Sequence, residues 1–266
     1  MTGAPPISDL QLALAAAMVL VAGLASALLR LGLLRSLAWG TVRTFLQLGL
    51  VGYVLTYVFS MDHPALVVGL VLVMVLLAAR AAVSRFKQVP HKPYGLAALS
   101  LGAGTFLVGT MVCGVIVGGE PWYRARLAIP IAGMLLGISL NGVALALDRL
   151  YGEARTRADE VEARLSLGYT PWEAARPLVR VALRTGMTPI INGLMVVGVV
   201  SLPGMMTGQI LAGADPMTAV RYQIVVMLMI TASVTIGCLL FVGLSYKGIF
   251  TDDDALKPEL RRSVDS

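Results

Sequence analysis

Within its apolar runs the 266-residue chain carries a small set of neutral polar and sulfur-bearing side chains: Gln47, Ser139, Asn141, Asn192, Met195, Met205, Met206, Thr207 and Gln209. Thioether sulfur is a soft metal ligand and an amide oxygen a harder one, so Met205, Met206 and Gln209, all in the stretch SLPGMMTGQI at 201–210, are the candidate metal ligands. The same methionines can instead serve as adaptable packing at a moving joint, and each polar group can hydrogen-bond between helices. Pro203 has no amide hydrogen and clashes with the carbonyl four residues back, while Gly204 lets the chain turn. In lipid, a carbonyl freed in this way must be satisfied by protein or water. The break is therefore expected to face a cavity or gate, and Gln47, Asn141, Asn192, Pro203, Gly204, Met205, Met206, Thr207 and Gln209 are its candidate path residues.

Other chemistries lack their residues. No G-x-x-x-x-G-K-[ST], H-E-x-x-H or G-x-S-x-G pattern is present, and His63 and His91 fall at opposite ends of the apolar segments. These missing nucleophile, base and metal sets argue against an intramembrane enzyme, and the absence of carboxylate and lysine from the expected spans argues against a proton-coupled carrier. Cys113 and Cys238 both fall inside apolar runs and read as small packing residues.

The elements that must position these residues are membrane helices. The chain is 57% hydrophobic and 14% charged, with a mean hydropathy of +0.81, whereas soluble domains are about 25% charged. Apolar runs predict an all-α integral membrane protein of about seven spans: Leu10 to Leu29, Thr44 to Ser60, Pro64 to Ala82, Gly95 to Gly118, Leu127 to Leu147, Met187 to Ala212 and Tyr222 to Tyr246. With the N-terminus outside, all but Arg124, Arg126 and Arg221 of the 21 Lys and Arg fall on the inner side. The positive-inside rule then predicts an N-out, C-in topology. This accounts for the net charge of +6 without nucleic acid. The first run has no Lys or Arg ahead of it and does have Asp9, so it is expected to stay in the protein. The whole of 1–266 reads as one transmembrane domain with a cytoplasmic tail at 247–266. Arg far outnumbers Lys among abundant Ala and Gly, which points to a GC-rich bacterial genome, and a helical multi-span protein of a bacterium is expected in the cytoplasmic (inner) membrane.

One polar segment, 148–186, is long enough for structure of its own. Glu153 to Leu167 reads as a helix, with Glu153/Arg157 and Glu160/Arg164 as acid-first i,i+4 pairs. Gly168 supplies a stop, and Thr170-Pro171-Trp172-Glu173 reads as the capped start of a second helix. On it, Arg176, Arg180 and Arg184 share one face and Trp172, Ala175, Val179 and Ala182 another. Such an element can lie on anionic headgroups or present a rigid knob to another protein.

Three segments together resemble the FetB or YbbM family of transporter permeases, which includes a bacterial iron exporter and plant aluminium-tolerance relatives. They are Val197-Gly-Val-Val-Ser-Leu-Pro-Gly-Met-Met-Thr-Gly208 with Asp215-Pro216 and Arg221-Tyr-Gln-Ile224, Leu167-Gly-Tyr-Thr-Pro171, and Arg43-Thr-Phe-Leu-Gln-Leu48. The resemblance implies the permease half of an ABC transporter, a homodimer bound to a separate ATPase that holds ATP-Mg, with no cofactor on this chain. It implies export of a metal such as iron. Glu162, Arg164, Gly168, Thr170, Pro171, Trp172, Glu173 and Arg176 would then be the ATPase-coupling residues. The competing readings are an ATPase-independent channel or carrier for a neutral or lipid-like solute, and a membrane scaffold for a cytoplasmic partner.

Overall fold

The computed structural model describes residues 8–61, 63–84, 93–118, 121 and 123–261. His91, and Arg85, Lys87, Lys92 and Arg262 among the basic residues counted on the inner side, lie outside the described residues. The first half comprises α1 (Asp9–Leu28), α2 (Leu34–Met61), α3 (Pro64–Ser84) and α4 (Tyr94–Met111), the last extended by a π turn at Val112–Ile116. The second half comprises α5 (Ala125–Thr156), α6 (Ala158–Ser166), α7 (Pro171–Val196), α8 (Gly204–Leu211), α9 (Pro216–Ser245) and α10 (Pro258–Arg261). A 3-10 turn, Tyr246–Ile249, follows α9.

Six of these helices are long and apolar enough to cross a membrane: α1, α2, α3, α4 with its π turn, α5, and α9 with its 3-10 turn. The chain is thus an all-helical, multi-pass membrane protein. The span expected at 187–212 is not one helix. α7 ends at Val196, residues 197–203 run irregularly, and α8 restarts after Pro203. The break begins earlier than Pro203 because Gly198 takes a φ of +83°, a left-handed conformation that ends a helix at little steric cost in glycine. The capped helix expected to start at Pro171 and the first part of that span are also a single element, since α7 runs from Pro171 through both Pro177 and Pro189. Likewise the fifth span does not stop near Leu147 but continues to Thr156, and a short second helix follows.

The core is built from α3, α4, α5, α7 and α9. α3 turns Val67, Val71, Val75, Ala78 and Ala82 inward at helical spacing. Close approach depends on small residues, as expected where lipid competes with protein for every apolar surface. A β-carbon on Gly186 of α7 would stand 2.7 Å from the Gly142 carbonyl oxygen of α5 and 3.1 Å from Cys238 Sγ of α9. Nearby, Ser139 and Ser233 share a buried 3.1 Å hydrogen bond that ties α5 to α9. α9 starts with Asp215 as N-cap, its carboxylate accepting from the Thr218 N–H at 2.9 Å, and with Pro216 in the first turn.

Candidate functional site

The polar segment folds as α6 and the start of α7, which contact each other across the turn at Gly168. At the α5–α6 junction Arg157 bridges both helices: its guanidinium donates to both oxygens of Glu160, at 2.7 and 2.9 Å, and lies 3.5 Å from Glu153. Arg164 adds a 2.9 Å contact to Glu160. Those hydrogen bonds, led by Arg157, hold the Glu160 carboxyl below its ordinary range. Gly168 then takes a φ of +87°, and α7 opens with the reciprocal cap expected from the sequence. The Thr170 hydroxyl accepts from the Glu173 N–H at 3.3 Å, and Glu173 accepts from the Thr170 N–H at 2.9 Å. Accepting from the Thr170 backbone and hydroxyl keeps the Glu173 carboxyl low.

Two faces of this element differ sharply. Ala174, Ala175, Leu178, Val179 and Ala182 are buried against the bundle, while Arg176, Arg180 and Arg184 are exposed. At the tip, Leu167 is 78% exposed and Tyr169 49%. Trp172 is half-exposed and packs edge-on against Tyr246, with ring centroids 5.0 Å apart. Beyond Tyr246 the residues expected as a plain tail fold back onto this element. Ile249, Phe250, Leu256 and Leu260 are buried, and Arg261 forms an ion pair with Glu162. That docking was illegible in the sequence because 246–261 shows no helical periodicity of useful length.

The broken segment borders an apolar cavity of about 350 Å³, lined by Gly198, Leu202, Pro203 and Met206 on one side and by Gln223 and Met227 of α9 on the other. Gln223 is buried, and its Oε1 has no hydrogen-bond partner among the described residues. Of the candidate path residues, Pro203 and Met206 reach this cavity. Gly204 and Met205 sit on the exposed side of α8, and Thr207 donates to the Pro203 carbonyl at 3.1 Å. Gln209 keeps an enclosed Oε1 without a partner among the described residues. Asn192 is exposed, and Asn141 donates back to the Gly137 carbonyl of its own helix at 3.2 Å. Among the described residues no three of His, Cys, Asp or Glu come together to hold a metal.

Gln47 belongs to a different cavity, about 720 Å³ in volume, between α2, α3 and α5. Arg43 and Arg80 line it beside Gln47. With its amide oriented to satisfy both groups, Gln47 accepts from Arg43 Nε at 3.0 Å and Nη2 at 3.2 Å. Sequence reasoning assigned Arg43 to a loop because hydropathy starts the second run at Thr44. α2 in fact begins at Leu34 and carries Arg43 well inside the helix. The available signal was the i,i+4 spacing of Arg43 and Gln47, which puts both on one face.

This architecture is that of a polytopic helical membrane protein with a projecting helical element. The family model for UPF0014, described as an uncharacterised protein family, matches residues 9–250, and the chain belongs to that family. It is 39% identical over 237 residues to the UPF0014 membrane protein slr1647 of Synechocystis, covering 88% of this chain and 92% of that one. It is 35% identical over 245 residues to the protein of Escherichia coli named "Probable iron export permease protein FetB", covering 92% and 93%. The Arabidopsis thaliana protein ALUMINUM SENSITIVE 3 is 34% identical over 239 residues, covering 90% and 86%. No solved structure matches the chain.

Proposed function

We propose that the chain is the membrane permease subunit of an ATP-driven transporter, energised by a separate ABC-type ATPase and exporting a metal ion such as iron. The observation that carries this reading is the α6–Gly168–α7 element. It is stiffened by a capping box and an ion-pair ladder, yet it shows Leu167, Tyr169 and Trp172 at an exposed tip. An exposed apolar and aromatic tip on a rigid mount suits insertion into a cleft of a partner. α7 then offers a direct mechanical link. Its 26 residues span roughly 39 Å at 1.5 Å per residue and lead from the tip to the break at 197–203. Closure of two ATPase subunits on nucleotide would displace the tips of a paired permease, and α7 would carry that displacement to the cavity beside Pro203.

The similarity to the FetB protein supports metal as cargo, and the cavity residues Met206 and Gln223 are the donors that fit it best. Met205 and Gln209 remain candidates only if α8 turns during transport. The charge distribution supports placing the tip on the cytoplasmic side of a bacterial inner membrane. The nearly apolar lining of the 350 Å³ cavity favours a second reading, in which a neutral or lipid-like solute moves through the chain without an ATPase.

The test is affinity purification of the tagged full chain from native membranes in mild detergent, with ATP hydrolysis and co-purifying chains measured. Recovery of an ABC-type ATPase, lost with Trp172→Ala and Leu167→Asp, is the expected result. Purified chain that transports solute alone, indifferent to both substitutions, would overturn the reading. Met206→Leu separates the cargo question, since metal resistance in cells that depend on the protein should fall if its sulfur is a ligand.

A further inference from the structure

The cavity between α2, α3 and α5 has features unlike those of an ordinary lipid-facing groove. Two guanidinium groups, Arg43 and Arg80, line it together, and among the described residues neither forms an ion pair with a carboxylate. This contrasts with Arg149, Arg157, Arg164 and Arg261, all of which are paired with glutamates. Among the described residues no Asp, Glu, His or Cys lines the cavity. Arginines placed within membrane helices normally pair with an acid or face a watery, functional space, because an unpaired charge in that setting is costly.

The arrangement is also built rather than incidental. Gln47 lies one helical turn after Arg43 and accepts two hydrogen bonds from it, which fixes the guanidinium plane and leaves its other N–H donors for a ligand. Across the cavity α5 contributes Gly133 and Gly137, and a β-carbon at Gly137 would meet nothing within 4 Å. Along α3 the lining runs from Met74 to Ser84, roughly 15 Å at 1.5 Å per residue. A volume of about 720 Å³ is far more than a single water requires.

We propose that this cavity is a binding site for a phosphate-class oxyanion, with Arg43 and Arg80 as its charged donors and Gln47 as the residue that positions Arg43. Guanidinium forks match the geometry of phosphate oxygens and bind them with charge-assisted hydrogen bonds. The anion is supplied either by a phospholipid headgroup entering between α2 and α3 or by a soluble phosphate compound. The same two charges repel a bare metal cation, so this cavity is distinct from the metal-holding place proposed beside Met206. The site does not depend on ATPase coupling, and its test uses no nucleotide.

The experiment is direct binding to the purified full chain. Phosphatidylglycerol is titrated onto delipidated protein and followed by native mass spectrometry, and pyrophosphate is titrated in parallel by calorimetry. Arg43→Gln and Arg80→Gln are compared with wild type, and Arg221→Gln, outside the cavity, is the charge control. A roughly tenfold or greater weakening of phosphatidylglycerol binding in the two cavity variants, and not in the control, supports the site with lipid as the source. The same loss for pyrophosphate supports it with a soluble anion as the source. Failure of both probes to bind wild type, or binding unchanged in both cavity variants, overturns the proposal. Should the variants not fold, phenylglyoxal labelling of the wild type decides the matter. Protection of Arg43 and Arg80 by either probe supports the site, and equal labelling with and without both probes overturns it.

Discussion

In α1 and α2 the most apolar 18-residue windows are 11% and 6% buried within the chain, against 50% in α5 and 44% in α9. Their mean hydropathies overlap, at 2.1 and 1.5 for the first pair and 1.8 and 2.5 for the second. In water such similar helices would compete for the same core, but lipid solvates an apolar side chain about as well as protein does. Burial is therefore decided by how closely backbones can approach. α5 meets its neighbours through Gly142 and Ser139, and α9 through Ser233 and Cys238. α2 also has glycines, yet a β-carbon at Gly40, Gly49 or Gly52 would touch nothing within 4 Å. Glycine content alone does not mark a packing face; register against a partner does.

The contrast can be broken most forcefully at the α5–α7–α9 crossing. Gly186→Val places new atoms against the Gly142 carbonyl and is expected to cost about 3 kcal/mol, read as a lowered unfolding midpoint in detergent or as loss of monodisperse protein. Retained stability would mean that α7 can slide away from α5. A smaller effect, about 1 kcal/mol, is expected for Thr170→Ala, which removes the cap of α7. Faster amide exchange should then be confined to the first turn of α7.

The same turn should respond to acid. Ionised Glu173 accepts from Thr170, and its carboxyl lies below the ordinary value of 4.5. Its contribution is full above that value and fades as the pH falls through the lowered one. Protection of the amides at the start of α7, taken relative to the intrinsic exchange rate at each pH, should fall on acidification, and Glu173→Gln should flatten that dependence. Within the membrane, Ser139→Ala should cost about 0.6 kcal/mol, since it removes one interhelical hydrogen bond. The smallest change is expected for Gly49→Val on α2, within about 0.5 kcal/mol. A large loss there would reveal a partner helix seated on the open face of α2.

Local chemistry was readable wherever it depends on neighbours in the chain. The capping box at Thr170, the glycine stop at Gly168 and the Glu160–Arg164 pair all follow from spacing and are present as read. The interruption of the 187–212 run was also legible from Pro203-Gly204, although its start at Gly198 was not, because either glycine can take a positive φ. Gln47 was singled out from its polarity alone. Its partner Arg43 was missed because hydropathy assigned it to a loop, and Arg80, which shares the cavity, because it lies on another helix.

Composition and periodicity by themselves determined that this is a polytopic helical membrane protein with a capped polar element, since hydrophobic length and turn chemistry are local properties. Only the tertiary structure decided that α7 is one rod from tip to break, that the C-terminal helix docks on α5 and α6, and that Arg43 and Arg80 share a cavity with no carboxylate among the described residues. These features depend on which faces of distant helices meet, and in a bilayer that choice rests on backbone shape and small-residue register rather than on hydropathy.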